Sequence, residues 1–156
     1  MPPWAWRRAF PQATLDMIEA AVRVSETRHS GEIRFAIENS LAPGRVWRGV
    51  SGRERAIEVF ANLHVWDTDH NSGVLVYLLL ADHDIEIVAD RGIAARVAPE
   101  VWEQVAQTME AAFRNGRFEQ GALGGIARIS DVLTEHFPPT GRNPNEMANR
   151  PVIVRR

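Results

Sequence analysis

Apolar and polar positions divide the chain into a regular series of short elements. Leu15, Ile18, Val22 and Ser25 recur at helical spacing between Pro11 and Ser30-Gly31, which predicts a helix from Thr14 to about His29. Ile33, Phe35 and Ile37 alternate with Glu32, Arg34, Ala36 and Glu38, the pattern of a strand with one drier face. Residues 40–50 read as a loop around Pro43-Gly44. Ser51 stands three positions before Glu54, a capping box opening a helix that turns Ala56, Val59, Phe60 and Leu63 inward. A polar loop, 64–72, precedes Val74–Leu80, which is apolar at every position and therefore suits a central strand covered on both faces. Asp82-His83-Asp84 then turns the chain into Ile85–Ala89, so the two runs read as a hairpin. After a turn over 91–98, Pro99 opens a third helix buried through Val101, Trp102, Val105, Met109 and Phe113 and stopped by Asn115-Gly116. A fourth helix, Phe118 to His136, carries Ala122, Ile126, Ile129 and Leu133 inward, and its Gly121, Gly124 and Gly125 predict close packing against a neighbour.

The order helix, strand, helix, hairpin, helix, helix predicts a parallel strand pair extended by an antiparallel strand. Helices on both faces make this an α/β fold: a three-layer α/β/α sandwich with a small mixed central sheet. Three segments are expected: an arm over 1–11 docked by Trp4 and Trp6, one domain over 12–137, and a flexible tail over 138–156. The composition of the tail favours an extended or mobile chain, with Val152-Ile153-Val154 as a short edge strand or a lattice contact.

Composition narrows the chemistry. The 156 residues include no cysteine, so a disulfide framework, a thiolate nucleophile and Cys-based metal sites are excluded. All 18 basic residues are arginine, which excludes a lysine Schiff base and an ordinary Walker A loop. A net charge of −2 supplies no overall attraction to nucleic acid, and none is expected as a partner. The longest apolar run, Gly73–Ala81, is nine residues against the roughly 20 a bilayer needs. The first residues lack the apolar core of a leader. No membrane insertion and a cytoplasmic location are therefore expected.

Four phrases occur in an order similar to that of the TPM domain family, named in part for a plant thylakoid-lumen phosphatase. They are His29-Ser-Gly-Glu-Ile-Arg34, Gly73-Val-Leu-Val-Tyr-Leu, Ile87-Val-Ala-Asp-Arg-Gly-Ile93 and Phe113-Arg-Asn-Gly-Arg-Phe-Glu-Gln-Gly121, and together they span residues 12–137. The resemblance implies a mixed-sheet α/β/α domain, calcium binding as in some members, and acid phosphatase activity as in the plant relative. The chain departs from the family pattern at Ser72-Gly73, where Asn-Gly is common. It departs again at Asp90, where a glycine is common, and near Ala98-Pro99, where an Asp is missing.

The richest candidate chemistry is Asp67-x-Asp69-x-Asn71, because oxygen ligands at alternate positions of a tight loop can converge on a hard cation. If residues 74–89 form a hairpin, Asp90 returns to the same end. A parallel first strand would start there too, bringing Glu32 close. The expected metal set is Asp67, Asp69, Asn71, Asp90 and Glu32, holding Ca²⁺ in preference to Mg²⁺, with no organic cofactor. Arg91 and Gly92 are the candidates to hold an anion, since guanidinium matches phosphate and glycine lets the backbone approach; the alternative is a surface ion pair of Arg91 with Asp90 or Glu86. His64 and His70 lack a third nitrogen or sulfur ligand and read as solvated. The leading functional expectation is a divalent-cation-binding or accessory module. The alternatives are a metal-assisted phosphatase acting on phosphate monoesters, or a metal-independent protein-interaction domain using Arg45, Arg48, Arg53 and Arg55.

Overall fold

A computed structural model describes residues 2–139 and 148–155. The elements are α1 (Trp6–Ala9), α2 (Gln12–Ser25), β1 (Glu32–Glu38), α3 (Pro43–Trp47), α4 (Gly52–Asn62), β2 (Gly73–Leu79), β3 (Asp84–Ala89), α5 (Arg91–Ala94), α6 (Pro99–Arg114), α7 (Phe118–His136) and β4 (Val152–Val154). The four strands form one sheet in the order β3-β2-β1-β4. β1 runs parallel to β2 and β4, and β2 is antiparallel to β3. This is the mixed sheet expected from the strand–helix–strand–hairpin order.

Helices cover both faces. Ile33, Phe35 and Ile37 of β1, Val74, Val76 and Leu78 of β2, and Ile85 and Ile87 of β3 meet α2, α6 and α7 on one side. Ala36, Leu75, Tyr77, Leu79 and Val88 meet Ala56 and Val59 of α4 on the other. All seven residues of β2 are buried, which is why its sequence shows no alternation. β1 differs from the expected one-sided strand. Only Arg34 is less than buried, because α4 lies over the second face and Arg34 donates to the carbonyls of Ala148 and Arg150 at 2.6 and 3.1 Å. The tail residues 148–154 thus lie along β1, Arg150 bonds Asp16 at 3.0 Å, and β4 is the edge strand. Residues 140–147, part of the segment expected to be extended or mobile, lie outside the described residues.

Two local features depart from the sequence pattern. The 40–50 loop contains the short helix α3, opened by Pro43, whose lost N–H is one the first turn does not need. The N-terminal arm contributes to the core: Phe10 is fully buried, with ring centroids 5.7–6.3 Å from Phe35, Phe113 and Phe118. Trp6 is held by its N–H to Asn39 Oδ1 at 3.0 Å, while Trp4 stays exposed. The glycines of α7 pack as expected at two positions. A Cβ on Gly121 would meet Phe113, and one on Gly125 would meet Met109, whereas Gly124 faces open space.

One charged network is sealed under α4. Arg55 donates to both oxygens of Glu38 at 2.9 and 3.2 Å, and the Tyr77 hydroxyl donates to Glu38 Oε1 at 2.6 Å. Burial, followed by the bond to Glu38, raises the Tyr77 pKa, so the phenol stays protonated. Arg55→Ala would leave Glu38 buried without its counter-charge, and is expected to destabilise the fold by about 3–5 kcal/mol in urea titration. Replacing the set together (Arg55→Met, Glu38→Leu, Tyr77→Phe) should recover most of that loss. A deficit below about 1 kcal/mol for Arg55→Ala would mean that water already solvates the carboxylate.

Candidate functional site

Sheet topology gathers the acidic segments at one end. In the parallel register Glu32 pairs with Gly73, so β1 and β2 start together, and the antiparallel partner of Val74 is Ala89. The Asp90 N–H extends that ladder to the Gly73 carbonyl at 2.9 Å, and the Gly92 N–H reaches the Asn71 carbonyl at 3.0 Å. Gly92 is needed for this approach: a Cβ there would lie 2.5 and 2.6 Å from the carbonyl oxygens of His70 and Asn71. Asn71 itself takes a positive φ of 51°, a conformation its short amide tolerates. Thr68 Oγ1 accepts the Ser72 N–H at 2.9 Å, closing the loop beneath it.

The five expected metal residues divide by environment. Asp67 and Asp69 are exposed, and Asn71 and Asp90 are half-buried. Asp90 caps α5, its Oδ1 accepting the Arg91 N–H at 2.8 Å. Its Oδ2 is buried and has no hydrogen-bond partner among the described residues. Glu32 is 1% exposed, and its carboxyl bonds to the buried Glu26. Among the described residues no three His, Asp or Glu side chains form a ready-made cation cage. The donors on this rim are carboxylate, amide and main-chain carbonyl oxygens, the hard set that Ca²⁺ and Mg²⁺ accept, with water completing the shell. Of these donors, the orphaned Asp90 oxygen is the one whose chemistry calls for a cation. Arg91 is exposed beside them, and its guanidinium forms no ion pair among the described residues. His64 and His70 are also exposed, and the His64 ring lies 5.5 Å from Trp66.

Behind the rim lies a buried polar cluster that the sequence reading did not single out. Glu26 Oε2 accepts the Ile33 N–H at 2.9 Å, and its pKa is pushed up to about 9, by burial first and then by the hydrogen bond to Glu32. The hydrogen-bonded Glu26–Glu32 pair therefore shares a proton at neutral pH. His29 is fully buried, with its pKa lowered to about 4 by burial and by the Arg28 charge, partly opposed by its bond to Gly31. The Gly31 N–H donates to His29 Nδ1 at 3.1 Å, which puts the ring proton on Nε2, 2.8 Å from Ser25 Oγ. The histidine thus donates to the serine. A base that activated Ser25 would need the opposite tautomer, so this pair is structural. The available signal was the i, i+4 spacing of Ser25 and His29, the last of which the helix pattern included as an ordinary polar end.

The cluster gives a signed pH dependence. Unfolded Glu26 ionises above its ordinary 4.5 while the folded form keeps its proton to about 9, so its contribution to stability falls as pH rises through that window. The slope is at most about 1.4 kcal/mol per pH unit. His29 acts in the other direction: its neutral form is favoured in the fold, so stability is lost as pH falls from 6.5 towards 4. Glu26→Gln should gain stability over the parent progressively between pH 6.5 and 9 in chemical denaturation. Parallel stability curves for the two proteins across that range would refute a protonated Glu26.

Residues 8–132 match the TPM domain. The chain is similar to the NMR structure of the BA42 protein from the psychrophilic bacterium Bizionia argentinensis, with 28% identity and a TM-score of 0.80 over 91% of this chain and 93% of that one. The solution NMR structure of the N-terminal domain of a protein from P. gingivalis shares the fold, with a TM-score of 0.66 at 15% identity over 81% of this chain and 77% of that chain. No curated protein shows a significant match. With the match running from the end of α1 almost through α7, and the sheet and both helical layers in place, the chain belongs to the TPM domain family.

Proposed function

We propose that this TPM domain is a divalent-cation-binding accessory module, with Ca²⁺ preferred, whose cation lies on the rim between the 67–73 loop and Asp90-Gly92. The observation that supports this reading is the buried Asp90 Oδ2, which has no donor among the described residues, next to a backbone junction that only glycine allows. A desolvated carboxylate oxygen without a partner is costly, and a hard cation relieves that cost. Asp90 would supply the fixed part of the set. Asp67, Asp69 and the Asn71 amide would close over it from the exposed loop. Ca²⁺ suits such a mixture because it accepts six to eight oxygens with loose geometry, whereas Mg²⁺ demands a near-ideal octahedron. Glu32, bonded to Glu26, stands behind the rim at the start of β1.

A second reading, hydrolysis of phosphate monoesters, draws on Arg91, whose guanidinium stands beside the rim with no ion pair among the described residues. A bound cation would supply Lewis-acid polarisation of a phosphoryl oxygen. The side chains offer no serine or histidine poised as nucleophile and base, so the accessory role takes precedence.

Calcium titration of the ¹⁵N-labelled protein should shift the amides of residues 67–73 and 90–92 and leave α6 and α7 unmoved. Asp90→Asn should weaken binding by at least about tenfold, or about 1.4 kcal/mol. A rim that does not respond to millimolar calcium would end the cation reading. If phosphate-monoester hydrolysis accompanies binding and disappears in Asp67→Ala and Asp69→Ala, the second reading gains; hydrolysis untouched by those changes would come from elsewhere.

A further inference from the structure

The sheet has two edges, β4 and β3, and the one on β3 borders a groove. Because the Asp90 N–H turns inward to Gly73, strand alternation turns the main-chain groups of Ile85, Ile87 and Ala89 outward. No strand lies beyond them among the described residues. Two side chains sit at this edge in their place: the Ile85 N–H donates to Glu110 Oε2 at 3.1 Å, and Arg53 donates to the Ile87 carbonyl at 2.7 Å. They hold hydrogen-bonding positions that an added strand would use.

This edge is also the floor of a groove of about 520 Å³ between β3 and α6, bounded by Ala94, Val97 and Pro99 at one end. Its charged lining is Glu86, Glu103 and Glu110 against the single Arg53. Asp84 adds a further carboxylate in contact with Glu86 and Glu110. The crowding is costly: Glu86 is raised to about 7, by burial first and then by Asp84, and Glu110 is raised as well. Trp102 in the α6 wall is 6% exposed and keeps its indole N–H without an acceptor among the described residues.

We propose that the β3 edge is a docking site for an extended basic segment of another polypeptide, which adds as a strand along Ile85–Ala89. Main-chain hydrogen bonds would supply affinity, and the glutamates would select arginine or lysine at alternate positions. An acidic segment would add charge to a lining already crowded with carboxylates, and a nucleic acid backbone would be repelled. This chain's own basic tail has the right chemistry, but it is engaged at β1 through β4, Arg34 and Arg150. The site is independent of the cation rim and its reading.

The test titrates the ¹⁵N-labelled full chain with an acetylated, amidated heptapeptide alternating arginine and valine. Expected are amide shifts concentrated at Ile85, Ile87, Ala89 and residues 103–107, and no shifts from a glutamate–valine counterpart. N-methylation of alternate peptide residues should weaken binding at least tenfold, because it removes the ladder donors. Glu103→Arg, an exposed change that leaves the fold intact, should do the same by reversing one wall charge. Shifts mapping to residues 67–73, or affinity indifferent to N-methylation, would overturn the proposal as simple charge attraction. A dimer that forms with rising protein concentration and shifts the same amides without peptide would overturn it too, assigning the edge to a second copy.

Discussion

Everything at the candidate site depends on how β2 is paired. It is buried along its whole length, with a parallel neighbour on one side and an antiparallel neighbour on the other. A strand in that position has no solvated face on which to slip, because a shift of one residue would exchange the two packed faces. The register is further held by Gly73, which lies so close to the Val65 carbonyl that no side chain fits between them. Once Glu32 is opposite Gly73 and Ala89 opposite Val74, the start of β1, the loop before β2 and the exit of β3 must share one end of the sheet.

The two faces of that sheet are secured in different ways. On the α2, α6 and α7 side the core is broad and aromatic, and Phe10 reaches into it from the N-terminal arm. On the α4 side the apolar cluster is smaller, and the Glu38–Arg55–Tyr77 network sits at its margin with the surface pairs of Glu58 to Arg45 and Arg55 outside it. A buried ion pair adds little net stability compared with a well-packed apolar set, but breaking it is costly, so it favours one placement of α4 over others. The Glu26–Glu32 and Ser25–His29 bonds play the equivalent part where α2 meets the start of β1.

The rim and the β3 edge are places where the protein leaves hydrogen-bonding capacity unfilled or filled by side chains. A protein interior normally pairs its polar groups, so the orphaned buried oxygen of Asp90 supports the proposed cation site, while Arg53 and Glu110 satisfy main-chain groups of β3 that a docked strand would take over. Neither feature requires a nucleophile, and the buried Ser25–His29 pair is held in a structural bond. No helix among the described residues is long and apolar enough to cross a membrane.

The sequence alone determined the strands of the domain and its four longer helices, because each was marked by chemistry acting within a few residues; the short helices α1, α3 and α5 were not marked in this way. Ser51 and Glu54 announced the start of α4, Asn115-Gly116 the end of α6, and the unbroken apolar run of β2 its central place in the sheet. The order of those elements was enough to infer the mixed sheet, and hence that Asp90 returns to the level of the 67–73 loop. What the sequence could not carry was the direction of individual side chains. Glu32 and Asp90 are both acidic residues at strand ends, yet one bonds Glu26 in the interior and the other caps α5 with an oxygen to spare. The partnership of Glu38 with Arg55 and Tyr77 joins residues up to 39 positions apart, and the docking of the tail on β1 joins residues more than a hundred apart. Local propensity is blind to such pairs. Only packing of the finished layers decides which charges meet, and it does so by removing water from some of them and leaving it at others.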